Sequence, residues 1–194
     1  GLQLYLKEQA EVRRLEAELK EIFGCPELNL LSGDQLSAAL YGGECKVSWT
    51  EWVTVPLKNQ PATRYYEKTF DKIVSFPGIF TPLKRTELKK KGFYKTDKVT
   101  LSQLRARDKT GRIIKDKIQE LSEHAKAMET LKGKSDTSGL LNKVGVDGKV
   151  HTEFFTAFTT TGRLSSRNPN GQNFPRESTS PIKQIIVPSL DFIL

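Results

Sequence analysis

The strongest constraint on the fold is an apolar repeat that begins after Gly111. Its members, spaced three or four residues apart, are Ile114, Ile118, Leu121, Ala125, Met128 and Leu131. This spacing places all of them along one side of an α-helix, so the segment is predicted to be an amphipathic helix that buries the stripe. Lys115, Lys117 and Lys126 lie off the stripe. We assign the stripe itself to packing.

Two more helices are predicted near the start of the chain. Residues 2 to 23 carry apolar side chains at helical spacing, and the pattern ends at Gly24, a helix stop signal. Ser32 and Gln35 have the spacing of a capping box, in which the two side chains satisfy backbone N–H groups at the start of a helix. We therefore expect a short helix from there to about Tyr41.

The segment from Lys46 to about Pro82 has a different pattern. Trp49, Trp52 and nearby valines alternate with threonines, which favours strand, while prolines such as Pro56 interrupt the pattern. We predict an irregular insertion that contains one hairpin.

Three local signals organise the rest of the chain. Thr96 is a candidate N-cap for a helix that ends near Arg107. The Asp147-Gly148 pair lies between valines and predicts a two-residue hairpin turn. The stretch from Ile185 to Leu194 is apolar and is predicted to be a half-buried strand.

The charge of the chain is concentrated in one segment. The formal net charge is +8, and residues 84–117 alone contain 13 Lys or Arg against 4 Asp or Glu. Such an excess indicates a polyanionic partner, with nucleic acid first among them. A solvated basic face without a ligand is the alternative. Membrane-surface binding is disfavoured, because the segment lacks the aromatic stripe that an interfacial helix buries.

The sequence also indicates the cellular compartment in which the protein is expected to act. Cys25 and Cys45 are isolated, so neither a zinc site nor a disulfide framework is indicated. We find no signal peptide and no apolar run long enough to span a bilayer, and we expect an intracellular, cytoplasmic protein that does not act on membranes. The chain begins at Gly1 rather than Met, which leaves a processed product and an excerpt of a longer protein open.

The segment from Thr159 to Arg176 carries most of the functional information. It is dense in Arg, Asn, Gln, Ser and Thr, and it follows a predicted strand. A polar surface connection made of turn formers is one interpretation. A loop so rich in hydrogen-bond donors also favours a binding role.

This segment resembles the opening of the palm in the DNA polymerase I family, family A of the DNA polymerases. The family pattern T-G-R-L-S-S is present at Thr161 to Ser166, and P-N-x-Q-N-x-P is present at Pro169 to Pro175. Residues 148–152 are similar to the family's G-R-V-H-T segment. Residues 29–36 are similar to its N-L-x-S-x-x-Q-L segment, and residues 91–96 are similar to its K-G-x-x-x-T segment. Gly171 stands where the family usually has Leu.

The resemblance covers nearly the whole chain and implies its fold. We expect an α+β protein: a mainly helical thumb over residues 1–143, followed by the first β-strands of a polymerase palm over 144–194, in an incomplete right-hand architecture. Residues 46–82 match worst and are similar to the thumb insertion of viral and phage members. A phage or bacterial source is implied.

The resemblance also implies which residues contact DNA. The minor groove presents acceptors at equivalent places in every base pair, so a donor there can check pairing without reading sequence. By resemblance, Arg163, Gln172 and Asn173 contact the minor groove near the primer terminus, and Asn170 holds the loop. The remaining DNA-binding candidates are Arg176 and the thumb lysines Lys115, Lys126 and Lys132, of which the lysines are expected to meet phosphates.

The chemistry itself is expected to lie outside this chain. In the family, an Asp of the pattern D-Y-S-x-I-E binds the two magnesium ions used in nucleotidyl transfer, and the printed sequence does not contain that pattern. The resemblance therefore implies a DNA-directed DNA polymerase that needs Mg²⁺, primer-template DNA, dNTP and the remaining fingers and palm, which could be a separate chain of a split polymerase. We expect no catalytic or metal-binding residue here.

Two other functions stay open from the sequence. A non-catalytic basic nucleic-acid-binding module would use the same charge with an incidental polar loop. A thumb-like scaffold that recruits a processivity protein would need a large insertion between Arg107 and Ser135, and none is present.

Overall fold

The computed structural model describes residues 1–56, 63–133, 139–156, 163–171 and 181–186. Within them the α-helices are α1 (Leu2–Phe23), α2 (Gly33–Tyr41), α3 (Lys98–Gln103) and α4 (Lys109–Lys132). The strands are β1 (Gly43–Pro56), β2 (Thr63–Phe76), β3 (Glu153–Phe155) and β4 (Ser165–Arg167). Short 3-10 helices cover Leu140–Lys143 and Pro181–Ile185.

The strands form two separate antiparallel pairs, β1 with β2 and β3 with β4. Helices and antiparallel strands therefore occupy different stretches of the chain, as in α+β proteins. The predicted α+β class is confirmed. The predicted helices over 2–23 and after Gly111 are confirmed by α1 and α4.

The chain divides into two compact units. One comprises Leu15–Gln119, and the other comprises Gly1–Arg14 with Glu120–Leu194. Helices α1 and α4 each contribute residues to both units. The predicted thumb and palm boundary at residue 143 stays a prediction.

The unit Leu15–Gln119 has a core built from helical stripes and one strand. Its most deeply buried side chains are Leu15, Leu19, Leu28, Leu40, Val47 and Ile114. At the end of α1, the ring of Phe23 meets that of Phe76 edge to face at 6.3 Å between centroids. The same apolar spacing that predicts α1 and α4 therefore places their stripes in the core.

Strands β1 and β2 form a long two-stranded ribbon. Their register runs without a break from Gly43 opposite Phe76 to Pro56 opposite Thr63. The single predicted hairpin is confirmed, but its ladder is more regular than we expected. Pro56 occupies the last pair and Pro77 follows β2, so these prolines bound the ladder instead of interrupting it.

The base of the ribbon is fixed to the end of α2. The backbone N–H groups of Ile79 and Phe80 both donate to the carbonyl of Leu40, at 2.7 and 2.9 Å. Gly78 adopts φ +76°, and a Cβ atom there would lie 2.6 Å from the backbone of Tyr41 and Gly42. Glycine is required at this crossing for both reasons.

We expect Gly78→Ala to lower the free energy of unfolding by about 2–5 kcal/mol. About 1–2 kcal/mol comes from the left-handed backbone and the rest from overpacking. Gly92→Ala is the matched control, because Gly92 has φ +81° but open space where its Cβ would be. Urea unfolding of both variants measures the difference. An equal loss in the two variants would contradict a backbone clash at Gly78.

The other unit has its own small core. Ala127, Leu131, Leu140 and Ile182 are buried together, with Tyr5 and Val150 among the partly buried side chains around them. Ala127 is buried here, whereas Ala125 of the predicted stripe is only half-buried. In the same unit, the carboxylate of the buried residue Glu8 lies 2.6 Å from His124 Nδ1. This pair joins α1 to α4 through a polar contact.

The predicted short helix to about Tyr41 is confirmed by α2, with Ser32 at its N-cap, but its predicted cap bond is absent, and the predicted cap of α3 is wrong. Ser32 occupies the N-cap of α2 without a side-chain cap bond, and Gln35 Oε1 accepts from the Asn29 N–H at 2.8 Å. The N-cap of α3 is Asp97 rather than Thr96, and its carboxylate accepts from the Thr100 N–H at 2.9 Å. Helix α3 also ends at Gln103, short of Arg107. At α3 a neighbouring acceptor takes the place of the predicted one, whereas at α2 the Gln35 side chain bonds to a residue before the helix.

The turn at residues 145–149 also differs from the prediction. The Gly145 N–H donates to the Lys149 carbonyl, the Gly148 N–H donates to the Gly145 carbonyl, and Val144 pairs with Val150. The loop therefore has three residues, with Gly148 in the left-handed position at φ +73°, rather than two.

The predicted terminal strand is also wrong at its start. Ile185 lies in a 3-10 helix instead of a strand. The rest of that predicted strand, residues 187–194, lies outside the described residues.

Candidate nucleic-acid interface

The basic segment over residues 84–117, in the unit Leu15–Gln119, exposes many of its cationic side chains. Its exposed cations include Lys84, Arg85, Lys89, Lys91, Lys95, Arg105, Lys109 and Arg112. We call this set the basic surface. Lys90 differs from them, because its ammonium forms an ion pair with Asp34 at 2.7 Å and lies 4.1 Å from the Phe93 ring centroid.

The loop that carries much of the basic surface is held against α2. The Tyr94 N–H donates to Ser37 Oγ at 2.8 Å, and the Tyr41 hydroxyl donates to the Lys95 carbonyl at 3.1 Å. The rings of Tyr41 and Tyr94 meet edge to face at 5.4 Å. Burial, with the charge of Asp97, raises the pKa of Tyr41 to about 12, so its hydroxyl keeps its proton at neutral pH.

Helix α3 is positioned by capping at both ends. At its start, the hydrogen bond from the Thr100 N–H lowers the pKa of Asp97, which keeps this N-cap ionised. At its end, Lys115 Nζ donates to the carbonyls of Ser102 and Leu104 at 2.9 and 3.0 Å. Lys115 is thus half-buried and engaged by the protein itself, a role that spacing along α4 did not reveal.

The other predicted thumb lysines lie in the second half of α4. Lys126 and Lys132 are exposed. Lys132 Nζ also lies 5.8 Å from the centroid of the Tyr5 ring, and Lys132 is the basic residue of the last turn of α4. Both ammonium groups are accessible to a phosphate, and their contact with DNA stays a prediction.

The donor-rich segment is built on the pair β3–β4. Arg163 is exposed just before β4. The hydroxyl of Ser166, which is buried, donates to Asn170 Oδ1 at 2.8 Å. This bond closes the loop after β4 on itself. Gln172, Asn173 and Arg176, the other predicted DNA-contacting residues, lie outside the described residues.

Glu153 organises the same loop from the opposite strand. Arg167 Nε donates to Glu153 Oε2 at 3.0 Å, and Asn168 Nδ2 donates to Oε1 at 3.2 Å. These two bonds, the Arg167 bond first, lower the pKa of Glu153. The Arg167 guanidinium also lies 4.2 Å from the Phe155 ring centroid. Sequence reasoning missed this cluster, although pairing of the two strands would have suggested it.

Asp147 and His151 form a separate contact beside the turn. Their side chains meet at 2.8 Å, and the pKa of Asp147 is lowered, first by the Lys149 N–H and then by His151. In the part of the chain that the structure describes, no three His, Cys, Asp or Glu side chains are grouped so that they could hold a metal ion. No described helix is long and apolar enough to cross a membrane.

An exposed basic surface is typical of proteins that bind nucleic acids. The family model for DNA polymerase family A matches residues 67–194. This chain belongs to DNA polymerase family A.

Individual relatives agree with this assignment. The chain is 45% identical over 58 residues to DNA polymerase I of Lactococcus lactis subsp. cremoris (strain MG1363), which covers 29% of this chain and 7% of that protein. It is 38% identical over 103 residues to DNA polymerase I of Mycobacterium tuberculosis (strain ATCC 25618 / H37Rv), which covers 53% of this chain and 10% of that protein. The chain therefore spans a tenth or less of the length of these relatives.

A solved structure matches most of the fold. The POL domain of Pol1 from M. smegmatis, in complex with DNA primer-template and dNTP, superposes with a TM-score of 0.56 at 25% identity. The match covers 90% of this chain and 22% of that chain. The predicted membership of family A is confirmed by these comparisons.

Proposed function

We propose that this chain is the thumb and the N-terminal part of the palm of a template-directed DNA polymerase, and that it grips primer-template duplex during nucleotidyl transfer. The family match over residues 67–194 carries the proposal, because it includes both the basic surface and the Thr161 to Pro175 segment. The basic surface would meet backbone phosphates, which supply affinity without sequence preference.

The palm segment would add a check on base pairing. Arg163 would donate to minor-groove acceptors near the primer terminus, together with Gln172 and Asn173. The Ser166–Asn170 bond and the Glu153 cluster support this role, because they hold the loop that follows Arg163. A protein donor that is held in place loses its hydrogen bond when a mismatch displaces the minor-groove acceptor.

The remaining parts of the reaction belong to the rest of the polymerase. The Mg²⁺ ions, the dNTP and the fingers would be held by residues outside this chain, in the same protein or in a separate chain of a split polymerase. Among the described residues, no group of side chains fits a metal site. The proposal places the protein beside DNA in the cytoplasm of a bacterial or phage-infected cell.

We expect Arg163→Ala, in an assembled polymerase, to slow extension and to weaken discrimination against a mismatched primer end by about 1–3 kcal/mol. Arg163→Lys is the matched variant, because it keeps the charge but loses the planar guanidinium fork, so it should also lose discrimination. Lys126→Ala should weaken binding to matched and mismatched ends alike. Primer-extension rates from both ends measure these effects. Unchanged rates in Arg163→Ala would limit Arg163 to a structural role.

A further inference from the structure

The β1–β2 ribbon has two chemically different faces. Directly paired residues of an antiparallel ladder project to the same side. One face, which we call the Trp49 face, carries Val47, Trp49, Glu51, Val53, Tyr66, Lys68, Phe70 and Lys72. The opposite one, the Trp52 face, carries Lys46, Ser48, Thr50, Trp52, Thr54, Tyr65, Glu67, Thr69, Asp71 and Ile73.

The apolar side chains of the Trp49 face extend from the core along the ribbon. Near the base of the ribbon it buries Val47 and Phe76. Farther along, the rings of Trp49 and Phe70 lie nearly parallel, with centroids 5.7 Å apart and an interplanar angle of 22°. Beyond them Tyr66 is 40% exposed. Trp49 and Phe70 are half-buried, so the face is a partly accessible row of aromatic rings. On the Trp52 face, Trp52 and Tyr65 are more exposed, at 67% and 64%.

Cationic groups lie over these rings. Lys68 Nζ is 5.1 Å from the Phe70 centroid, and Lys72 Nζ is 5.6 Å from the Trp49 centroid. Glu51 is the acid of this face, and it accepts a hydrogen bond from Trp49 Nε1 at 2.8 Å. Lys72 also forms an ion pair at 2.8 Å with Glu27, from the loop after α1.

The Trp52 face has the opposite charge balance. It carries Glu67 and Asp71 against Lys46, and Asp71 already pairs with Lys46 at 2.8 Å. At its centre Thr50 pairs with Thr69, and their side-chain hydroxyl groups face each other. The Trp49 face carries Lys68 and Lys72 against Glu51, and Glu27 offsets Lys72. Its charge balance therefore suits a polyanion better than that of the Trp52 face, with Lys68 as the main cation.

We propose that the Trp49 face binds single-stranded nucleic acid. Bases would stack on Trp49, Phe70 and Tyr66, and phosphates would lie near Lys68 and Lys72, a combination of aromatic platform and positive charge that suits unpaired strands. Duplex bases stack on one another and offer no free faces to these rings. This inference rests on the proposed function, because template-directed copying supplies an unpaired template strand that the face could bind.

The two tryptophans of the chain provide a direct test, because Trp49 and Trp52 lie on opposite faces. In the full chain, Trp52→Phe leaves only Trp49 as a fluorophore, and Trp49→Phe leaves only Trp52. Each variant is titrated with oligothymidylate of about 20 nucleotides, longer than a typical stacking site. Stacking should quench the fluorescence of Trp49 and leave that of Trp52 nearly unchanged. Equal quenching, or quenching of Trp52 alone, would overturn the proposal.

Adjacent tyrosines provide the affinity test. Tyr66→Ala should weaken binding of the same oligonucleotide by about 5- to 150-fold, the loss expected for one stacked base. Tyr65→Ala should have no effect, since Tyr65 is on the Trp52 face. Tyr66→Phe keeps the ring and should keep the affinity, which separates stacking from any loss of ribbon structure. Fluorescence anisotropy measures all three.

Duplex DNA of equal length separates this inference from the proposed function. Its binding should be insensitive to Tyr66→Ala, because phosphate contacts of the basic surface carry it. If Tyr66→Ala weakens the binding of duplex and of single strand equally, the proposal that bases stack on this face is refuted. If duplex binds and neither tyrosine matters for single strand, the ribbon proposal fails while the proposed function stands. If the ribbon instead serves self-association, sedimentation will show oligomers and Tyr66→Ala will leave the single-strand affinity unchanged, which also refutes the proposal.

Discussion

Raising the salt concentration from about 50 to about 200 mM should weaken binding of primer-template duplex to this chain by about 10³-fold, because phosphate contacts release condensed counterions. That figure corresponds to about six cation–phosphate contacts. The eight exposed cations of the basic surface are enough to supply them. Binding should also show little preference for sequence, since phosphates carry no sequence information.

Single lysine variants make the test specific to the basic surface. Lys89→Ala and Lys91→Ala should each reduce the slope of log K against log salt by about 0.9. Lys7→Ala is the control, because Lys7 is an exposed lysine of α1 outside this surface. Anisotropy titrations at several salt concentrations give the slopes. A flat salt dependence, or binding confined to one sequence, would contradict a thumb that grips any duplex.

The parts of the fold that follow from apolar spacing could be predicted from the sequence. Ile114, Ile118, Leu121 and Leu131 are all buried, as the stripe on α4 required. Such stripes are predictable because burying them contributes more free energy than any local alternative. Trp49, Trp52 and nearby valines with threonines between them predicted one hairpin within an irregular insertion, and the β1–β2 ribbon is that hairpin.

Local polar contacts could not be predicted in the same way. Gln35 matches a capping box in sequence, yet its side chain bridges the Asn29 N–H and the Lys46 carbonyl. Thr96 and Asp97 are adjacent candidates for one cap, and the carboxylate takes it. Each choice differs from its competitor by about 1 kcal/mol, and a tertiary partner is enough to reverse it.

The candidate site shows the same division. The family pattern located Arg163 and Asn170, but it did not reveal that Glu153 braces the loop through Arg167 and Asn168. Likewise, the resemblance implies that Lys115 meets a phosphate, which stays a prediction, but it did not reveal that the Lys115 ammonium donates to the carbonyls of Ser102 and Leu104 at the end of α3. Spacing predicts which side of a helix a lysine occupies, and only packing determines what its charge meets.

We expect this chain alone to incorporate no nucleotide at any Mg²⁺ concentration. In family A, the pattern D-Y-S-x-I-E supplies an Asp that holds the metal ions, and the printed sequence does not contain it. Positioned charge at the reacting phosphate is the main source of catalysis in phosphoryl transfer. A chain that supplies only duplex contacts should therefore bind primer-template without extending it.

Adding a polypeptide that carries the D-Y-S-x-I-E segment, the fingers and the rest of the palm should restore primer extension from background to a readily measured rate. The mixture is assayed with primer-template, Mg²⁺ and all four dNTPs, and sedimentation reports whether the two polypeptides associate. Arg163→Ala in this chain should slow the restored reaction, which ties it to the proposed minor-groove contact rather than to the added polypeptide alone. Incorporation by this chain alone would refute the assignment of chemistry to other residues. A mixture that associates and binds primer-template but does not extend it would refute the proposal that this chain completes a polymerase.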